Sequence, residues 1–267
     1  MQGTYLDAWW VNAIAGFGVG TVVGITGVGG GALMTPILVL LFGVAPASAI
    51  GTDLWFAAIT KSVGGFVHHS RGTVDREVLK LLCLGSLPAS LATLAWLHLS
   101  NASQLKSGLL MSALGAVLLL TAVAMVFKKR VQAVGLKLRT VSPVDFKRWQ
   151  PALTVVAGAV LGLLVTLTSI GAGALGAVML VYLYPFRMTP SRLVGTDIVH
   201  AIPLTIVAGT GHLLLGNVDL VLLSTLLIGS IPGIIIGSHL STRMPEGLLR
   251  PAIAALLVVA GLKLLHV

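Results

Sequence analysis

The stretch Gly27-Val28-Gly29-Gly30-Gly31, followed by Gly51-Thr52-Asp53, determines the fold class of this chain. Both motifs recur 144 residues later, as Gly171-Ala172-Gly173 and Gly195-Thr196-Asp197. An ungapped alignment that begins at these glycines and extends over 62 positions contains 19 identities. The identities fall mainly on Gly, Pro, Thr, Asp and His rather than on the common apolar residues, which indicates an internal duplication.

The composition is that of a polytopic membrane protein. Of 267 residues, 56% are hydrophobic and only 9% are charged, and the mean hydropathy is +1.01, whereas about a quarter of the residues in soluble domains are charged. The lipid bilayer is therefore a predicted partner. A net charge of +9 suggests nucleic acid in a soluble protein, but here the basic residues lie between apolar runs and report topology. We therefore exclude nucleic acid as a partner.

The apolar runs divide into five segments per half, and one short segment in each half begins just after glycines. The first run, residues 9–43, exceeds the length of one span of about 20 residues, so we divide it at its glycine cluster. The predicted segments are 9–26, 30–43, 46–67, 76–98 and 104–127, then 151–168, 172–186, 190–213, 220–240 and 248–265. We assign 1–127 and 151–267 to two membrane repeats and 128–150, which has seven basic residues, to a cytoplasmic linker.

The positions of the lysines and arginines predict that the two repeats have inverted topologies. In the first half the loop after the third segment is basic and the flanking loops lack Lys and Arg, and in the second half this pattern is reversed. With both termini outside, 14 of the 17 basic residues face the cytoplasm, the exceptions being Lys61, Lys106 and Lys263. Inverted repeats with glycine-interrupted segments are typical of secondary transporters, whose sites lie near the midplane. We therefore predict a multi-pass transporter of the cytoplasmic (inner) membrane.

The glycine-rich tips are candidate substrate-binding elements. A helix that begins within the bilayer presents unpaired backbone N–H groups and a partly positive end, and glycines admit a ligand close to the backbone. Such a site suits a small anion. The alternative is that the glycines only allow close helix packing. The candidate residues are Gly27, Gly29, Gly30 and Gly31 in the first half, and Gly171 and Gly173 in the second.

Polar residues in the third segment of each half extend this candidate site. The hydroxyls of Thr52 and Thr196 either donate to the anion or bond back to their own helix. Asp53 and Asp197 are predicted about two turns inside the membrane, where an ionisable residue indicates a function such as proton coupling; a structural hydrogen bond between the repeats is the alternative. His200 lies three residues after Asp197, so it either titrates with that carboxyl or forms a polar bridge.

Lys61 has no cationic counterpart, because Thr205 occupies the matching position in the second half. It is about 12 Å along the helix from Asp53 at 1.5 Å per residue, too far for direct neutralisation. It either binds the substrate anion or extends to the cytoplasmic interface. Asp75 and Asp219 are predicted helix caps. No catalytic-triad or metal-ligand spacing is present, and Cys83 is the sole cysteine, so we predict neither an enzyme, nor a metal site, nor a cofactor.

The duplicated motifs resemble those of the TauE/SafE sulfite-exporter family. They are GVGGGALMTP, AIGTD, GTVD and GSLP in the first half, and GAGALGAVML, LVGTD, GNVD and GSIP in the second. The second glycine motif lacks the triplet and has Leu180 where the first has Pro36. The resemblance implies transport of sulfur-containing oxyanions such as sulfite, organosulfonates or thiosulfate; composition and spacing alone predict only an anion transporter. The alternatives are an anion channel and a membrane scaffold that transports nothing.

Overall fold

The computed structural model describes residues 9–26, 31–70, 72–99, 103–141, 143–240 and 246–266. Within these ranges the chain forms α-helices joined by short turns and contains no strand, which confirms the all-α prediction. The helices are α1 (Trp9–Thr26), α2 (Gly31–Leu40), α3 (Pro46–Ser70), α4 (Arg76–Leu99), α5 (Ser103–Val141), α6 (Pro143–Thr168), α7 (Ala174–Leu183), α8 (Pro190–Leu214), α9 (Leu220–Leu240) and α10 (Glu246–Leu265).

Five of the described helices are long and apolar enough to cross a membrane, judged by length and composition. These spans are Arg76–Leu99, Gly108–Val141, Val144–Thr168, Pro190–Leu214 and Leu220–Gly237. Large apolar side chains such as Leu84, Leu163 and Ile228 are exposed on these helices. Lipid accounts for this exposure, since a soluble monomer rarely exposes so much contiguous apolar surface.

The predicted short segments are present as α2 and α7, and each has ten residues. Such helices are about 15 Å long, half the thickness of the hydrocarbon core. Both end about three residues before the predicted limits. A turn with positive φ at Gly43 follows α2, and a turn that leads to Pro190 follows α7. Backbone turns, rather than a loss of hydrophobicity, therefore set the ends of these helices.

The basic segment 128–150 is mostly helical. It contains the last part of α5, which runs for 39 residues to Val141, and the first part of α6, which begins at Pro143. Its Lys, Arg, Leu and Gln residues are good helix formers, and proline is well tolerated at the first helical position. The backbone carbonyl of Tyr182 approaches Gly135 where a side chain would lie, so α5 also supports the end of α7.

The two halves pack against each other reciprocally. The first helix of each half contacts the fourth helix of the other, as α1 with α9 and α6 with α4, while α3 pairs with α8 and α5 with α10. Glycines allow the α1–α9 contact, since a Cβ at Gly20 would lie 2.4 Å from Ser230 O and one at Gly233 would lie 2.4 Å from Phe17 O. The missing side chains of these glycines therefore let α1 and α9 pack closely.

Candidate functional site

The paired helices α3 and α8 enclose a group of buried charged side chains. Asp53 and Lys61 lie on α3 and Asp197 on α8, with exposed fractions of 0%, 7% and 6%. Lys61 interacts electrostatically with both carboxyls. It forms a direct salt bridge with neither, within the part of the chain that the structure describes. The three groups thus form one electrostatic unit whose formal charge is −1 when all are ionised.

Asp53 is held by α2. Thr35 Oγ1 donates a hydrogen bond of 2.5 Å to Asp53 Oδ2. Asp53 Oδ1, on the other side of the carboxyl, has no hydrogen-bond partner among the described residues, and neither has the nearby Ser169 Oγ. Buried polar atoms without partners are rare in proteins because each costs about 1–3 kcal/mol. Two such atoms beside a charged group are therefore typical of a binding site.

Lys61 reaches across the interface between the halves. Its Nζ donates a hydrogen bond of 3.0 Å to the backbone carbonyl of Ala172, which lies between the two glycines of the second motif. The side chain is buried, so it does not extend to the cytoplasmic interface as the alternative interpretation required. An ammonium group has three N–H donors, and this carbonyl uses one of them.

Asp197 lies against the beginning of α7. The backbone N–H of Gly173, the N-cap of that helix, interacts with its carboxyl. A Cβ at Gly176 would lie 2.3 Å from Asp197 Oδ1, so the absent side chain makes room for this oxygen. Asp197 Oδ1 has no hydrogen-bond partner among the described residues. Besides Lys61, Lys128 on α5 interacts with it electrostatically.

The second glycine tip has an unusual backbone. Gly171 and Gly173 have φ values of 124° and 134°, which side chains of L-residues rarely permit. Ser169 is the non-glycine residue with positive φ in the described ranges, at 60°. Thr168 Oγ1 accepts the N–H of Ile170 across 3.1 Å and so holds the end of α6 in place. The tip is thus a built turn that presents the start of α7 to Lys61 and Asp197.

Of the first glycine tip, the structure describes only the last residue. Gly27, Gly29 and Gly30 lie outside the described residues, and Gly31 is the first residue of α2. Their assignment to the substrate site stays a prediction.

The two threonines beside the aspartates occupy equivalent positions. Thr196 Oγ1 accepts a hydrogen bond of 2.9 Å from the backbone N–H of Asp75, and Thr52 Oγ1 accepts one of 3.1 Å from that of Asp219. Each hydroxyl therefore holds the start of a helix in the other half. The hydroxyl hydrogens are still available to an anion, so that role stays a prediction.

His200 bridges α8 and α4. Its Nε2 is 2.9 Å from Ser86 Oγ, and its buried Nδ1 has no hydrogen-bond partner among the described residues. His200 also interacts electrostatically with Lys61. The contact with Ser86 is the predicted polar bridge, and a role in proton coupling stays a prediction.

Asp75 and Asp219 cap helices, as predicted. Asp75 Oδ1 accepts the N–H of Val78 at 3.3 Å, and Asp219 Oδ1 accepts that of Leu222 at 2.9 Å. Among the described residues, Asp75 but not Asp219 also has an arginine partner, since Arg187 donates to the carboxyls of Asp75 and Glu77. Partial burial lowers the pKa of the Arg187 guanidinium, but the hydrogen bonds to the two carboxylates outweigh this and raise it above its usual value.

Sequence reasoning missed three polar partners in this region, namely Thr35, Ser86 and Ser169. Ser86 is one of the repeated identities, with Ser230 as its counterpart, so a signal was present. Thr35 lies one turn after the first glycine cluster, and Ser169 precedes the second glycine motif. No spacing rule connects either residue to Asp53, because their proximity depends on how α2, α3 and the second tip meet.

Comparisons with known proteins agree with this architecture. The family model described as "Sulfite exporter TauE/SafE" matches residues 12–264. The chain is 42% identical over 257 residues to the probable membrane transporter protein YjnA of Bacillus subtilis (strain 168), covering 94% of this chain and 98% of that protein. It is 27% identical over 253 residues to the probable membrane transporter protein YdhB of the same organism, covering 93% and 97%.

No solved structure matches the chain. The family model, by contrast, extends from within α1 to within α10 and includes the α3–α8 pair that encloses the charged group. The chain therefore belongs to the TauE/SafE sulfite-exporter family and is a membrane transporter of that family.

Proposed function

We propose that this protein is a secondary transporter that exports small sulfur-containing oxyanions such as sulfite, sulfonates or thiosulfate across the cytoplasmic membrane. The observation that carries the proposal is the hydrogen bond from the buried Lys61 ammonium to Ala172 O at the tip of α7. It places a fixed cation beside a helix N-terminus, and both features favour an anion. The family supports the sulfur oxyanion as the substrate class.

A buried oxyanion needs compensating charge as well as hydrogen bonds, since desolvation costs several kcal/mol even after relaxation. Lys61 provides the charge and has two further N–H donors beyond the one bound to Ala172. Gly171 and Gly173 let the anion approach the backbone at the start of α7. We place the anion at this second tip, with Ser169 as a hydroxyl donor.

Two carboxyls beside one ammonium make proton coupling part of the proposal. With both Asp53 and Asp197 ionised, the unit has a formal charge of −1 and repels an anion. Uptake of one proton makes it neutral, and uptake of two leaves the charge of Lys61 uncompensated. Protons and anion therefore favour each other's binding, as linkage requires.

Alternating access requires two arrangements of the halves, and we propose that the halves have inverted topologies with both termini outside. The charge distribution supports this orientation. The reciprocal hydrogen bonds of Thr52 with Asp219 and of Thr196 with Asp75 support equivalent roles for the two halves. An odd number of membrane passes in each half would produce the inversion.

A flux assay in liposomes tests the proposal. Purified protein is reconstituted, and uptake of labelled sulfite, thiosulfate, methanesulfonate and acetate is measured with and without a pH gradient. Saturable flux of the sulfur anions that responds to the gradient is expected. Flux that ignores the gradient would indicate an anion channel, and no flux beyond that of empty liposomes would indicate a scaffold. The Lys61→Met variant is the matched control.

A further inference from the structure

We infer that the Asp197 carboxylate occupies the place at the start of α7 where the anion binds, hereafter the seat. An incoming oxyanion displaces Asp197, which leaves the seat as the protonated acid. The inference rests on the proposed function and adds how the proton and the anion are linked. It concerns a carboxylate that competes with the substrate, rather than a remote group that only changes the local charge.

The position of Asp197 is the first observation. The Gly173 N–H interacts with its carboxyl, and Oδ1 lies where a Cβ of Gly176 would be. The first N–H groups of a helix are unpaired and bind carboxylates and oxyanions by the same geometry. A side-chain carboxylate at this place therefore takes the donors that a sulfur oxyanion would use.

The second observation is that the seat fits Asp197 incompletely. Asp197 Oδ1 has no hydrogen-bond partner among the described residues although the side chain is only 6% exposed. Ser169 Oγ, which is also buried without a partner in those residues, lies at the same tip. A pyramidal or tetrahedral oxyanion has three or more acceptor atoms, so it can accept from Ser169 Oγ and from Lys61 as well as from the start of α7.

The third observation is that Lys61 is placed to interact with both the Asp197 carboxylate and the substrate oxyanion. Lys61 interacts electrostatically with Asp197 and donates to Ala172 O, next to Gly173. In the described part of the chain, three other charged or titratable groups belong to this region. Lys128 on α5 interacts with Asp197, while Asp53 on α3 and His200 on α8 interact with Lys61. The packed face of α7 contributes the backbone at Gly173 and Gly176.

Replacement of the Asp197 carboxylate by the anion takes up one proton. A proton from the aqueous phase binds an Asp197 oxygen, and the neutral acid gives up the Gly173 N–H and the attraction of Lys61. The oxyanion then takes both interactions. One proton accompanies one anion at this residue, whatever Asp53 does. Asp53 differs because Thr35 on α2 donates to its carboxyl, whereas Asp197 Oδ1 lies against Gly176 of α7.

The test is anion affinity as a function of pH in purified full-length protein. Methanesulfonate and thiosulfate are the probes, because their charge stays constant over the pH range whereas that of sulfite does not. In the wild type the affinity should fall about tenfold per pH unit where Asp197 is ionised, since one proton is bound per anion. Asp197→Asn should bind more tightly at high pH than the wild type does, and its affinity should depend on pH less steeply, through Asp53 alone.

Two further variants separate competition from a simple change of charge. Asp53→Asn removes the same charge from a carboxyl outside the seat, so the dependence on pH should persist. Gly176→Ala keeps every charge but fills the place that Asp197 Oδ1 and the anion would share, so anion binding should weaken even at low pH, where Asp197 has already left. Variants are compared only when their size-exclusion profiles match the wild type.

Each outcome bears on the inference. Asp197→Asn that retains the wild-type slope, or binds more weakly at high pH, would overturn the inference while leaving the proposed function intact. If neither the wild type nor Asp197→Asn binds either probe at any pH, the proposed function falls and the inference falls with it.

Discussion

The backbone N–H of Asp75 donates a hydrogen bond of 2.9 Å to Thr196 Oγ1, and this contact joins the start of α4 in the first half to α8 in the second. The equivalent hydrogen bond runs from the backbone N–H of Asp219 to Thr52 Oγ1 and is 3.1 Å long. Each of its two residues is 144 positions from its counterpart in the first bond. The two hydrogen bonds fix each aspartate-bearing helix, α3 and α8, relative to the opposite half. The charged group between these helices therefore depends on both threonines.

Thr196→Val and Thr52→Val should each destabilise the protein by about 0.5–1.5 kcal/mol, because a buried N–H loses its acceptor. Thermal unfolding in detergent measures this effect as a lower Tm. Thr196→Ser and Thr52→Ser keep the oxygen and serve as controls. An unchanged Tm in both valine variants would contradict the structural role assigned to these hydroxyls.

Thr35→Val should destabilise the protein more than loss of a surface hydrogen bond does, since the fully buried Asp53 loses its 2.5 Å donor. We expect about 1.5–3 kcal/mol, the range for hydrogen bonds to charged groups, and Thr35→Ser should recover most of it. The measurement is again thermal unfolding in detergent. Equal Tm values for the valine and serine variants would show that the hydroxyl does not hold the carboxyl.

Arg187→Gln should lower Tm by a small amount, equivalent to about 1 kcal/mol or less, since the guanidinium is 41% exposed and solvent screens such pairs. The effect should shrink at high salt. Arg192→Gln, at an exposed arginine near the start of α8, is the charge-matched control. The pairing of Arg187 with Asp75 and Glu77 would be unimportant if the two variants had the same Tm.

The proposed topology can be tested by cysteine labelling in a Cys83→Ala background. A cysteine at Lys137, exposed on α5, should react with a membrane-impermeant thiol reagent only from the cytoplasmic side. A cysteine at Asn217, in the turn before α9, should react only from outside. The reverse pattern would overturn the assignment of both termini to the outside.

The helices were largely predictable, because hydrophobic runs and glycine clusters are local signals. The start of α7 just after Gly173 and the start of α8 at Pro190 both follow from residue types alone. The basic segment was harder, since positive charge indicates a side of the membrane but does not distinguish a helix from a loop. The helical extension of α5 to Val141 is an example.

The site was predictable only in its ionisable members. An aspartate or lysine within an apolar run stands out in any sequence, so Asp53, Lys61 and Asp197 were identified. The partner of Lys61 is a backbone carbonyl 111 residues away, and a carbonyl has no sequence signature. The seat of Asp197 depends likewise on backbone at Gly173 and Gly176, which becomes visible only when α7 is placed against α8.

Calorimetric binding of thiosulfate to Lys61→Met, compared with the wild type and Lys61→Arg, measures whether Lys61 binds the anion. The methionine variant should lose about 1.5–3 kcal/mol of binding free energy, roughly 10- to 100-fold in Kd, because a charged hydrogen bond is removed. Lys61→Arg, which keeps the charge, should lose less. Equal Kd values for wild type and Lys61→Met, in proteins with the same size-exclusion profile, would contradict the claim that Lys61 binds the anion.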